Sequence, residues 1–138
     1  MRNASPILFH YNDVSGLRNG GWLPVLLEMT CFTAFFQRPD MGTLDEALVR
    51  YPGGGAVAAW GSTGLGLTTG HQALAAGFIT AIYQANTTLG QAALQGKLQL
   101  AGTPDLVDTY TLLGDPATQL NTTVRPWPVH LYLPAVRR

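Results

Sequence analysis

Cysteine is almost absent from this chain, with one in 138 residues. A single thiol excludes an internal disulfide framework and any cysteine-rich zinc site. Charge is scarce too. Eight Lys and Arg balance eight Asp and Glu, and charged residues make up 12%, about half of the roughly 25% usual in globular domains. A net charge of zero offers no basic field for a nucleic-acid backbone or an anionic membrane surface. No stretch approaches the ~20 apolar residues of a membrane-spanning helix. The opening Met1-Arg2-Asn3-Ala4-Ser5-Pro6 lacks the apolar run of an export signal. Repeats and low-complexity tracts are missing as well. What the chain does have is 46% hydrophobic residues, enough for one buried core in a chain of single-domain length.

Turn residues punctuate the rest. Ile7-Leu8-Phe9 is a short apolar run suited to opening a strand or turn. Asn12 to Gly16 reads as a turn or short helical segment, and Asn19-Gly20-Gly21 as a turn. Residues 23–31 are almost continuously apolar with no period of two, the pattern of a strand covered on both faces in a parallel sheet. Pro24 suits its first position, and Glu28 is its odd member. Thr43-Leu44-Asp45-Glu46 is a capping box: Thr43 accepts from the Glu46 N–H, and Glu46 reaches back to the Thr43 N–H. It predicts a helix to about Tyr51, stopped by Pro52-Gly53-Gly54. Residues 55–61 read as a second buried strand and 61–66 as the loop at its carboxyl end. Leu74, Phe78 and Ile82, with Ala75 and Ile79 beside them, mark a helix from about Gly70 to Ala85. Thr88-Leu89-Gly90-Gln91 opens another, to about Gln99. Thr103-Pro104 places an N-cap before a first-position proline, predicting a helix that carries Leu106, Val107 and Tyr110 and ends near Gly114. Thr118-Gln119-Leu120 is a candidate last strand. Alternating strands and helices give an α/β fold. So few strands cannot fill a sheet buried on both faces, so the chain reads as one half of a domain.

Cys31 falls where the first strand ends. Open α/β sheets bind ligands outside the carboxyl ends of their strands. A parallel second strand brings Gly61-Ser62-Thr63-Gly64 to the same edge, which sets a thiol beside a glycine-rich loop. The competing reading is a buried thiol serving as a small apolar residue. Other chemistries fail at once. Gly61 to Gly64 lacks the Gly-Lys of a phosphate-binding loop, and Gly53 to Gly55 precede a strand, the wrong side for a dinucleotide fold. Asp40, Asp45, Glu46 and Asp115 read as caps and turns rather than paired catalytic carboxylates.

Four segments in order carry a resemblance: Leu23 to Cys31 with Phe36 and Leu44-Asp45-Glu46-Ala47-Leu48; Gly54 to Thr63; Thr88 to Ala92; and Tyr110-Thr111-Leu112-Leu113-Gly114-Asp115-Pro116. Together they resemble peptidase family C25, gingipain-like cysteine peptidases with a caspase-like fold. The resemblance implies a partial caspase-like three-layer sandwich, a mostly parallel sheet flanked by helices. Residues 1–121 would be the carboxyl-terminal part of the catalytic domain. Residues 122–138, with Pro126, Pro128 and Pro134, would be a tail or a linker to a following domain.

The activity implied is cysteine-type endopeptidase action on a polypeptide substrate. Cys31 would be the nucleophile and its own N–H an oxyanion donor. Trp60, Gly61, Ser62 and Thr63 would line the substrate side. Two departures stand out. Thr33-Ala34 replaces an Asn-Gly or similar pair, and no His-Gly precedes the cysteine strand, so the chain reads as a fragment without the family's base. His10 is the candidate base that precedes Cys31, although Tyr11 follows it where the family has glycine. His71 reads as a local polar residue and His130 as inert. No cofactor is called for; the resemblance admits calcium, but no dense carboxylate loop is present to hold it. The partner implied is the missing amino-terminal half or a second copy of the chain, and the location implied is secreted or cell-surface. The alternative function is a catalytically inactive half-domain that survives by dimerising.

Overall fold

The computed structural model describes residues 9–85, 87–100, 102 and 104–122. The apolar run after Pro24 forms β1, Val25–Leu27, three residues rather than the nine predicted. Its last link to the sheet is the Glu28 N–H, which donates to Trp60 O at 3.0 Å; beyond it the chain turns away into a loop. Thr43 then caps α1, Leu44–Arg50, through the predicted reciprocal box. The second apolar run forms β2, Ala58–Ser62, buried along its whole length. Gly61 and Ser62 therefore belong to the strand rather than to the loop after it. Helices α2, His71–Ala85, and α3, Leu89–Leu98, follow as read, the latter behind the Thr88–Gln91 capping box.

The next segment divides. Helix α4, Pro104–Thr109, ends after six residues, and Tyr110–Gly114 forms β3. The expected helix to Gly114 is corrected here: Thr109, Tyr110 and Thr111 favour extended backbone, and pairing with β2 outweighs continuing a short helix. The sheet order is β1-β2-β3. β1 runs parallel to β2, with Val25 opposite Ala58 and Leu27 opposite Trp60. β3 runs antiparallel, from Ser62 opposite Tyr110 to Ala58 opposite Gly114. The sheet is therefore mixed. Gln119 makes one antiparallel bridge to Thr88 in place of a last strand. Asn12 to Gly16 lies in a short 3-10 helical segment, Tyr11–Gly16. Residues 7, 8, 103 and 123–138, and with them all of the predicted tail but Thr122, lie outside the described residues.

Side chains alternate across the strands and divide the interior in two. Val25, Leu27, Ala58 and Trp60 join Leu74 and Phe78 of α2, and Leu89 and Ala92 of α3, in the main core. Leu26 faces the other way, with Val14, Leu48 and Ala56 under α1. Helices thus cover both faces. Trp60 anchors the main core: fully buried, its ring stacks on Phe78 at 4.8 Å and meets Tyr110 edge-on at 5.6 Å. Burial of such a ring contributes about 3 kcal/mol before entropy is counted. Gly96 makes room for it, since a Cβ there would lie 2.5 Å from the Trp60 ring and 2.7 Å from Leu74 O.

Candidate active site

The loop after β1 folds across the carboxyl end of β2 and is tied to it twice. Phe32 N–H donates to Gly64 O at 3.3 Å, and Ala34 N–H donates to Ser62 O at 3.1 Å. Between these ties Phe32 takes φ 63°, a left-handed conformation that costs a bulky residue about 1 kcal/mol or more and concentrates at functional turns. Cys31 immediately precedes it. The thiol is half-buried, and Sγ faces Gly66 O at 3.8 Å. With Phe9, His10, Tyr11, Phe32 and Met41 it lines an open cleft of about 240 Å³. Cys31 is therefore not sealed in the core, and the two edges that the sequence placed together do meet.

The wall residues are arranged differently from expectation. Trp60 belongs to the core, and Gly61 and Ser62 are buried as well. The reason is that β2 reaches Ser62 and turns Trp60 toward the helices. Thr63 is half-buried, and both its N–H and its hydroxyl donate to Thr109 O, at 2.9 and 3.0 Å. The exposed part of this wall is Leu65 and Leu67, 71% and 66% accessible, either side of the Gly66 carbonyl that faces the sulfur.

His10 shares the cleft with Cys31, but one ring nitrogen is already engaged. Nδ1 accepts from the Asn12 backbone N–H at 3.2 Å, while the Asp13 carboxylate accepts from the backbone N–H of His10 at 2.7 Å. A neutral imidazole in this arrangement carries its proton on Nε2. His71 is buried edge-on to Tyr110 at 5.7 Å. His130 lies outside the described residues.

Two polar residues behind the loop escaped the sequence reading. Asp45, read as a helix-cap acid, is fully buried in the first turn of α1. Its N–H donates to Thr33 O at 3.2 Å, and its carboxyl points with Thr33 Oγ1 at the bare Cα of Gly61, where a Cβ would collide with both. Neither carboxyl oxygen nor Thr33 Oγ1 makes a well-formed hydrogen bond among the described residues. Burial first, and then the negative charge of nearby Glu28, push the Asp45 carboxyl up to about 8. Asp45 and Leu48 are three apart and both buried, so the helical period was the available signal. Tyr110 is the other. Its hydroxyl donates from β3 to Glu28 O at 3.0 Å. Burial, then the charges of Cys31, Asp45 and Glu28, push it up to about 12.

Among the described residues no group of three His, Cys, Asp or Glu is placed to hold a metal ion, and no helix is long and apolar enough to cross a membrane. What remains is one half-buried cysteine lining a cleft, beside a strained turn, at the carboxyl edge of a parallel strand pair. That arrangement suits nucleophilic attack on a carbonyl.

The chain is similar to two solved structures. One is the complex of Porphyromonas gingivalis RgpB pro- and mature domains, at 23% identity and a TM-score of 0.69, with 79% of this chain and 29% of that one covered. The other is the Arg-specific cysteine proteinase gingipain R, at 23% identity and a TM-score of 0.68, covering 81% and 29%. The likeness shows a shared caspase-like fold, and the chain spans about 29% of the length of each. No curated protein matches it. The family model of peptidase family C25 matches residues 3–121, and with that extent the chain belongs to peptidase family C25.

Proposed function

We propose that this chain is the carboxyl-terminal part of the catalytic domain of a cysteine endopeptidase, with Cys31 as the nucleophile. The position of Cys31 carries the reading: a half-buried cysteine lining a cleft, beside a strained turn tied to the end of β2, in a chain of this family. The thiolate attacks the carbonyl carbon of a polypeptide, the Cys31 N–H steadies the developing oxyanion, the amine leaves with a proton, and water releases the acyl group. Thr63 and the Leu65–Leu67 stretch would flank the substrate.

The base comes from outside the described residues, in a His-Gly segment of the domain's other half. In support, His10 could take up a proton on Nδ1 only by giving up its bond to the Asn12 N–H. That other half would pack against the outer edge of β1, to which no strand is paired among the described residues. Secretion or surface display follows by family resemblance.

The test is peptide hydrolysis by the chain joined to the amino-terminal half of the domain. Activity that Cys31→Ala or iodoacetamide abolishes is the expected result. Hydrolysis that persists in Cys31→Ala would overturn the assignment. The free edge of β1 supports a second reading, an inactive half-domain that pairs with another copy. A strictly monomeric, inactive assembled protein would exclude both readings.

A further inference from the structure

We propose that Asp45 is the positioning residue of the Cys31 loop: while protonated, its carboxyl joins Glu28 and Thr33, the two ends of the loop, and once ionised it drives them apart. This goes beyond the assignment of Cys31 as the nucleophile and rests on that reading for its functional meaning.

The geometry comes first. Glu28 is the last residue held to β2, through Trp60 O, and Thr33 lies two positions past Cys31, its carbonyl accepting from Asp45 N–H. Asp45 therefore holds the far end of the turn from α1, and its buried carboxyl lies close enough to Glu28, at the near end, to feel its charge. The space it occupies exists because residue 61 has no Cβ. Water does not reach it: Asp45 is 0% exposed, and its two oxygens and Thr33 Oγ1 are sealed without a well-formed partner. A buried carboxylate in that state is costly, whereas a carboxylic acid can donate to Glu28 and accept from Thr33.

The surrounding charges act in the same direction. Glu28 faces Asp45 from the end of β1, Glu46 from its own helix, and both favour the protonated form. Tyr110 approaches from β3, itself held protonated. β2 contributes no titratable side chain, and Asp13 of the preceding helical turn is bound to the His10 N–H. No cation offsets the pair among these groups.

The experiment is amide exchange of residues 28–36 in the 138-residue chain, each rate divided by its intrinsic rate at the same pH, with Cys31 alkylation measured in parallel. Between pH ~7 and pH ~9.5 the wild-type protection should fall roughly tenfold or more as Asp45 ionises. Asp45→Asn, which keeps a donor and an acceptor and cannot ionise, should remain flat. The alkylation ratio of wild type to Asp45→Asn should rise over the same interval, because the ratio cancels the thiol's own titration. Glu28→Gln should move the wild-type step to lower pH. A flat wild type, an Asp45→Asn profile matching wild type, or an unmoved step in Glu28→Gln would overturn the proposal. If Asp45→Asn does not fold, Glu28→Gln alone decides. Neither readout needs peptidase activity, so an inactive chain leaves this test standing.

Discussion

At the scale of single residues, two positions beside Cys31 are held against their local preferences. Asp45 is the first. Its folded carboxyl titrates at about 8, against 3.8 for the ordinary group. The folded chain thus keeps a proton that the unfolded chain loses, so stability falls as pH rises from 3.8 to about 8 and is level above that. Asp45→Asn should raise the unfolding free energy at pH ~8.5 by about 1–3 kcal/mol and change it little at pH ~4. Thermal melts at the two pH values check this, and equal shifts at both would contradict it. Phe32 is the second, with φ 63° and an edge-on contact to Phe35 at 5.3 Å. A β-branched side chain tolerates that backbone worse than Phe does, so Phe32→Val should cost about 1–3 kcal/mol in urea titrations. The meeting of Cys31 with the glycine loop was legible in the sequence, because a strand end and a later glycine loop are local signs; its reading as a nucleophile came from the family resemblance. Asp45 was not legible, because Thr-x-x-Glu already explains an acid at that point, and its burial depends on a glycine in β2. Trp60 misled as well. The family resemblance implied a substrate wall for it, while strand alternation sends its ring into the core.

At the scale of elements, caps and close approaches decide the outcome. α1 has only seven residues, too short to be helical without its caps and packing. Thr43→Ala removes the acceptor for the Glu46 N–H and the partner of Glu46 Oε2, and should cost about 1 kcal/mol of stability, measured by chemical denaturation. Between α2 and α3, Gly96→Val should cost about 1–3 kcal/mol by pressing on Trp60 and Leu74 O. A neutral result would mean that the helices separate freely at Gly96. Helices α1 to α3 could be read from the chain because Thr43 and Thr88 announce the starts of two, and Leu74, Phe78 and Ile82 mark the face of the third. The junction of α4 and β3 could not be read, since no Gly or Pro separates Thr109 from Tyr110 and only the partner strand tells the two states apart. β1 is short for the same kind of reason. Continuous apolarity describes burial, whereas the strand ends where the last pairing bond to β2 is made.

At the scale of the whole molecule, the sheet formed by the described residues has β2 paired on both sides and β1 and β3 at its margins. Pro24 O accepts from Val57 N–H, and Glu28 N–H donates to Trp60 O. Even-numbered residues of β1 therefore bond inward, and Val25 and Leu27 turn their N–H and C=O groups away from β2. Such an edge invites another strand. The chain alone is expected to elute larger than a monomer in size-exclusion chromatography and to return to a 1:1 complex when the other half of the domain is supplied. A monomer that ignores the added half would contradict this. Across the sheet, Tyr110 hydrogen-bonds from β3 to the Glu28 carbonyl at the end of β1, crossing the central strand. The two margins cannot shear past one another while that phenol is in place. α4 joins β3 without an intervening residue, so that helix and the phenol that meets the Glu28 carbonyl are carried on one continuous segment.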